Sequence, residues 1–456
     1  MDQVTVITGC AIATVDSRGT EYREGYVVIR GNRIDAVGAG EPPEPVAGAQ
    51  GIRRIDGSGC LLTPGLVNTH HHLYQWITRG LAADNTLFEW LTTLYPIWAG
   101  IDEDAVRVAA TGALAALART GCTTTTDHHY VFPREGGDLL GAEITAAAEV
   151  GLRFHPCRGS MDLGASAGGL PPDHVVESLD AILAASAEAV ARWHDPSFDA
   201  MVRIALAPCS PFSVTPELLR ESAALAREVG VRLHTHLAET IDEQDYCAQT
   251  FGCTPAQYME QLGWLGPDVW YAHAVHLDDA AIETMAGTGT GVAHCPTSNA
   301  RLGAGVARIA DLVRAGVPVG LGVDGAASNE ASSMIEEPRN ALLWARNRGG
   351  PRAMTVRTAL ELATMGGARV LGRAAEIGSI EVGKLADLAL WRLDTAAHAG
   401  IEDPVVALLL GSPPPLAALL VNGREVVREG EVRTVAMDTV ATEVAQAQVA
   451  LRAKAG

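Results

Sequence analysis

Histidines and carboxylates recur in this sequence at spacings that suit metal binding and proton transfer. In Thr63-Pro-Gly-Leu-Val-Asn-Thr-His-His-His72 a turn signal, Pro64-Gly65, leads into a short apolar run that ends in three histidines. Read as one extended segment, residues 66–72 place His70 and His72 on one face and His71 on the other. Two imidazoles on one face can chelate a single ion. The theme returns in His234-Thr-His-Leu-Ala-Glu239, in His273-Ala-Val-His276, and at Asp324 within Gly322-Val-Asp-Gly325. Imidazole and carboxylate together suit zinc or iron, and a carboxylate or imidazole beside such an ion can move protons.

For these residues to meet, the chain must deliver them to one place. Eight buried-strand candidates lie at 66–72, 121–129, 153–159, 201–209, 231–240, 269–276, 291–299 and 317–325, with alanine-rich helical stretches such as 104–120, 142–150, 216–229 and 309–315 between them. An open doubly wound sheet also alternates, but eight units with polar residues at the strand ends fit an α/β fold of the closed (β/α)8 TIM-barrel type. In such a barrel the carboxyl ends of the strands converge on one mouth, so His70, His72, His236, His273 and Asp324 are expected to face one another there. The two chain ends read differently. Val4-Thr-Val-Ile7, the pair Gly25-Tyr-Val-Val-Ile-Arg30 and Arg33-Ile-Asp-Ala-Val-Gly38 around a Gly31-Asn32 turn, Asp387-Leu-Ala-Leu-Trp391 and Leu419-Leu-Val-Asn-Gly-Arg-Glu-Val-Val427 are all strand-like. Neither end has enough apolar surface alone. Residues 1–60 and 376–436 are therefore expected to share one small β-sandwich, with the barrel over 61–375 and a helical tail over 437–456.

Composition narrows the function classes. The 456 residues carry 48% hydrophobic and 19% charged side chains, an ordinary globular balance, and a formal charge of −20. That excess of carboxylates argues against a nucleic-acid partner, which needs a basic surface. The eight cysteines contain no Cys-x-x-Cys pair and do not resemble a disulfide framework, so a reducing cytoplasm is expected. No signal-peptide pattern opens the sequence, and apolar runs are broken well short of a membrane span, so no membrane partner is expected. Assembly as a homo-oligomer is expected.

The four histidine and aspartate segments, in their order along the chain, resemble the motifs of the amidohydrolase superfamily, specifically its cytosine, guanine and triazine deaminase branch, and the resemblance covers nearly the whole chain. Within the branch, Phe154-His-Pro-Cys-Arg-Gly-Ser-Met161, Gly168-Gly-Leu-Pro-Pro172 and Ala207-Pro-Cys-Ser-Pro211 are most similar to 8-oxoguanine deaminases. The resemblance implies one divalent ion, zinc or alternatively iron, held by His70, His72, His236 and Asp324, with a position left for a water whose pKa falls to about 7. It implies further that Asp324 takes the water's proton, that His273 orients the oxygen, and that Glu239 passes a proton to the ring nitrogen beside the attacked carbon. The second strand offers Thr126-Asp127-His128 and no lysine to bridge a second ion, so the site is expected to be mononuclear.

The implied reaction is hydrolytic deamination, foremost of 8-oxoguanine to urate and ammonia. The alternatives are isocytosine, guanine or pterin deamination and s-triazine dechlorination or dealkylamination. The close triazine dechlorinases carry a hydroxyl residue where Asp324 stands. Chloride leaves without a proton whereas ammonia needs one, so Asp324 favours deamination. A non-catalytic barrel would have no need to keep every metal and proton-transfer position. The small nucleic-acid deaminases use His-x-Glu with Pro-Cys-x-x-Cys, and neither half occurs here.

For ring recognition, Gln75 and Arg158 are candidate donors to carbonyls and ring nitrogens, Trp90 and Trp76 candidate stacking partners, and Cys209 and Tyr130 further contacts. His71, His234 and His276 are expected to pack behind the ligands. His128 and His129, ending the second strand, are open between contacting substrate and supporting structure.

Overall fold

The apolar runs between the alanine-rich stretches form a closed parallel barrel in this computed structural model, which describes residues 3–43 and 51–454. Residues 44–50 of the expected N-terminal β region and the last two of the expected tail lie outside the described residues. In chain order the barrel strands are Leu66–Asn68, Cys122–His129, Arg153–Ser160, Ala205–Pro208, Arg232–Leu237, Val269–His273, Gly291–His294 and Val319–Leu321, and the pair Leu321 and Asn68 closes the ring. Helices follow most of them and cover the outside, which is why nearly every strand position is buried. The helix starts are written in the sequence. Thr215 ahead of Pro216 accepts from the Leu218 N–H, Asp278 accepts from the Ala281 N–H, and Gly230 at φ 73° ends the helix Pro216–Val229 and turns the chain into the fifth strand.

Most of the expected strands are shorter than the sequence suggested, and at the first and the eighth the difference builds the site. The first strand stops at Asn68 instead of running to His72, and the eighth stops at Leu321. Asn68 accepts the Val323 N–H on its side-chain oxygen at 2.9 Å, and Thr69 spends its hydroxyl and its N–H on the Leu321 carbonyl. Both strands break at this height. They re-pair beyond it as a separate two-stranded ladder in which Asp324 lies opposite His71 and Gly325 opposite His72. The periodicity of a single strand therefore does not set the facing of His70 and His72; this break does.

Strands from both chain ends join in one nine-stranded sheet outside the barrel. The seam is the antiparallel pairing of Cys60–Pro64 with Leu388–Arg392, around which Ile7, Ile12, Leu62, Leu388, Leu390 and Leu420 make a common core. The expected hairpin is present, with Arg30 opposite Arg33 across the Gly31-Asn32 turn. A buried bidentate ion pair, Arg153 of the third barrel strand on Asp387 at 2.9 and 3.1 Å, ties this sheet to the barrel. The helix Met437–Lys454 lies against Glu103–Arg119, with Val440 and Leu451 buried. Among the described residues no disulfide forms and no helix is long and apolar enough to cross a membrane.

A second tie is tighter. Trp391 of the outer sheet donates its indole N–H to Thr63 at 2.9 Å and lays its ring across Gly121, the residue before the second barrel strand. Gly121 has φ +88°, and a Cβ there would stand 2.2 Å from the indole. Gly121→Ala combines a left-handed backbone with overpacking and is expected to cost roughly 3 kcal/mol. A fall in the denaturant midpoint checks this; an unchanged midpoint would mean that ring and barrel entry give way independently.

Candidate metal centre and active site

The positions of protons on four histidines follow from their fixed partners. His72 Nδ1 lies 2.7 Å from the His128 carbonyl and His236 Nδ1 lies 2.6 Å from the Cys209 carbonyl. A carbonyl can only accept, so both Nδ1 atoms carry hydrogen and both Nε2 atoms are bare. His234 Nδ1 donates to the Trp270 carbonyl at 2.9 Å, which leaves its Nε2 to accept from His70 Nδ1 at 2.8 Å. His70 Nε2 is consequently bare too, and it has no hydrogen-bond partner. Three imidazole lone pairs and a carboxylate thus converge: His72 Nε2 to His236 Nε2 is 3.1 Å, and Asp324 Oδ1 lies 3.2 Å from His70 Nε2 and 3.3 Å from His72 Nε2. Bare lone pairs at such separations repel unless a cation lies between them. The edge of a tetrahedron of ligands about 2.0 Å from a zinc ion is about 3.3 Å, so the donor set fits one divalent ion in size, charge and chemistry.

The remaining carboxylate oxygen of Asp324 is held from the other side. Ser298 donates to Oδ2 at 2.5 Å and Ser328 at 3.1 Å, so the two oxygens of one side chain have separate surroundings. His273 Nε2 stands 4.0 Å from that oxygen and 3.7 Å from Glu239 Oε2, with its Nδ1 on the Asn299 side-chain oxygen at 2.9 Å. Burial works against a charge on His273, but Glu239 and Asp324 outweigh it and raise the imidazole pKa. Burial pushes the Glu239 carboxyl up to about 7, with His273 opposing and Asp324 adding. Glu243 accepts the N–H groups of Ala238 and Glu239 at 2.9 and 3.0 Å and so fixes the loop that presents Glu239. Four non-glycine residues here, Ala238, His273, Ala274 and Asp324, have φ of 51°, 69°, 49° and 62°.

The cavity over these groups is lined by Trp90, Tyr95, Tyr130, Cys209, Ser210 and Phe212 together with leucines and the site residues. Trp90 is fixed by its indole N–H on the Ala327 carbonyl at 3.0 Å. Of the expected ring contacts, Trp90, Cys209 and Tyr130 therefore reach the cavity. Arg158 does not. It grips Glu177 with two bonds at 2.7 and 2.9 Å, lies over the Phe132 ring and borders a separate cavity outside the barrel mouth. Gln75 is also displaced: it is fully buried behind Gly325, whose missing Cβ leaves room for the amide. Trp76 packs on Gly112 and under Arg79. His71 accepts the His72 N–H, His276 bonds the Ala304 carbonyl, and His128 stacks on His236 while bonding the Ala207 carbonyl. Sequence reasoning passed over Ser298 and Asn299. They follow the seventh strand in Pro296-Thr-Ser-Asn299, and asking what ends every strand would have found them.

The barrel agrees with the known proteins that the sequence matches. Residues 61–427 match the model of the Amidohydrolase family. The chain belongs to that family. Among curated members it is 45% identical to an 8-oxoguanine deaminase of Pseudomonas aeruginosa, covering 92% of this chain and 93% of that one. It is 40% identical to an isoxanthopterin deaminase from an unknown prokaryotic organism, covering 93% and 92%. Among solved structures, atrazine chlorohydrolase of Arthrobacter aurescens TC1 complexed with zinc superposes with a TM-score of 0.92 at 32% identity, covering 97% of this chain and all of that one.

Proposed function

We propose that the chain is a zinc-dependent aminohydrolase that converts 8-oxoguanine and water to urate and ammonia. The observation that carries the deaminase reading is the pair of carboxylates on either side of His273: Asp324, ionised and held by two serines, and Glu239, whose pKa of about 7 lets it carry a proton. Zinc, held by His70, His72, His236 and Asp324, supplies Lewis-acid activation of water at neutral pH. The chain's own groups do the rest. Asp324 takes the proton that water loses on attacking the amino-bearing carbon. The His273 imidazolium donates from Nε2 to the oxygen as it adds, and Glu239 gives its proton to the neighbouring ring nitrogen. When the C–N bond breaks, Asp324 returns its proton to the departing amine, which leaves as ammonia, and the proton still on the added oxygen passes to Glu239 as the carbonyl forms, restoring that acid.

The substrate assignment is supported by the 45% identity to the 8-oxoguanine deaminase and by the chemistry of the cavity. Among the described residues no lysine or arginine lines it, while aromatic rings form much of its wall, so it suits an uncharged flat ring better than a phosphorylated one. With Arg158 engaged elsewhere, hydrogen bonds to the ring fall to Ser210, Tyr130, Cys209 and the site carboxylates. Ammonia release from zinc-loaded protein offered 8-oxoguanine, isoxanthopterin, guanine, isocytosine, cytosine and hydroxylated or chlorinated triazines tests this. The highest kcat/KM is expected for 8-oxoguanine. A triazine at the top would overturn the substrate, and no turnover of any compound with zinc bound would overturn the deaminase.

A further inference from the structure

Beside the residue that follows His72, and apart from the cavity lining, lies a second group of titratable side chains that the reaction does not use. Asp127 and His129 end the second barrel strand and Glu143 projects from the helix Leu139–Val150; all three are fully buried, and their ligand-type atoms lie within 4.8 Å of one another. The group is not built like the metal centre. His129 Nδ1 and Glu143 Oε1 are 2.7 Å apart, a hydrogen-bond distance that requires a proton between them and is shorter than the roughly 3.3 Å between two ligands of one zinc ion. His129 Nε2 donates to the Val131 carbonyl at 2.8 Å, and Asp127 Oδ1 accepts the Leu73 N–H at 2.5 Å. The other oxygens, Asp127 Oδ2 and Glu143 Oε2, are buried and receive no hydrogen bond, while the two carboxyl groups lie within reach of each other.

Two carboxylates cannot both stay ionised in such surroundings. Burial above all, with Glu143 adding, holds Asp127 well above the usual carboxylate range; burial lifts Glu143 to about 8 and lowers His129 to about 4. Protonated carboxyls beside a neutral imidazole give one consistent direction of donation: Leu73 N–H to Asp127, Asp127 O–H to Glu143, Glu143 O–H to His129 Nδ1, His129 Nε2–H to the Val131 carbonyl. Bonds in such a chain polarise one another and strengthen together. The chain starts one residue after His72, whose Nδ1–H is held by the carbonyl of His128, between Asp127 and His129.

We propose that Asp127, Glu143 and His129 form a neutral chain holding two protons that locks the end of the second strand onto the backbone of Leu73 and so positions His72 as a metal ligand, with Glu143 as its central positioning residue. The inference rests on the reading of His72 as a ligand. Because Glu143 acts as an uncharged acid that donates once and accepts once, glutamine can replace it, its NH2 donating to His129 and its carbonyl accepting from Asp127.

The test is the zinc dissociation constant, measured by chelator competition on wild type, Glu143→Gln and Glu143→Ala, with folding followed by circular dichroism. Glu143→Ala is expected to weaken zinc roughly 10- to 100-fold, the effect of removing an outer partner of a metal ligand, and Glu143→Gln to restore wild-type affinity. Should Glu143→Ala not fold, Glu143→Met fills the space without hydrogen bonds and carries the same expectation. A folded Ala or Met variant with unchanged zinc affinity overturns the proposal, as does a Gln variant as weak as Ala. Two zinc ions in wild type, one of them lost from the variants, would make the group a metal site instead. Wild type that binds no zinc would bring down the ligand reading itself, an outcome distinct from the others.

Discussion

Asp324→Asn, reconstituted to full zinc occupancy, is expected to lose on the order of 10³-fold or more in kcat while keeping its fold. The substitution removes two functions together. Oδ1 is the oxygen that faces His70 and His72, and an amide oxygen there is a weaker ligand than a carboxylate. Oδ2 is the oxygen that receives hydrogen bonds from Ser298 and Ser328; an amide group in its place cannot accept the proton that the attacking water must lose. The serines can turn to meet an amide, so the defect belongs to chemistry rather than folding. Occupancy has to be matched, since reduced zinc affinity alone would lower the apparent rate. A kcat close to wild type at matched occupancy would remove Asp324 from proton transfer and leave it only a ligand.

Glu239→Gln is expected to lower kcat by about 10²- to 10⁴-fold with zinc retained. Glu239 is not among the groups that converge on the three bare Nε2 atoms, so the ion has no reason to leave. The loss is that of a proton donor beside the ring. The sign of the pH dependence follows. Burial places the Glu239 carboxyl at about 7, and the donating form is the protonated one, so kcat falls as pH rises through that value. The glutamine variant should be slow at every pH and lack this alkaline limb. If the limb persists at the same pH in Glu239→Gln, another group titrates there and the assignment of Glu239 fails.

Much of this was readable before any coordinates. Eight strand segments and the ends that carry histidine or aspartate could be read because a buried parallel strand is an apolar run and its polar terminus stands out against it. What could not be read falls into two kinds. The partners that fix the imidazole tautomers of His72, His236 and His234 are the carbonyls of His128, Cys209 and Trp270, and a backbone carbonyl has no letter in a sequence. Arg158 failed for another reason: it ends a barrel strand as a substrate donor might, but Glu177 neutralises it from a loop nineteen residues on, and only the fold brings the two together. Gln75 likewise follows the histidine segment closely, yet the break after Asn68 sends the chain behind Gly325.

The left-handed backbone at Ala238, His273, Ala274 and Asp324 bears on how this protein would evolve or be engineered. Each such L-residue stores about 1–3 kcal/mol of strain, held in place here by bonds such as those from the Val275 and His276 N–H groups to the Ala238 carbonyl. Glycine at 238 or 274 would release that strain, so selection for heat resistance alone would favour it. The same exchange would widen the range of directions in which Glu239 and His273 point. Thermal robustness and catalytic aim therefore compete at these two alanines, and a library screened only for melting temperature would enrich slower enzymes there.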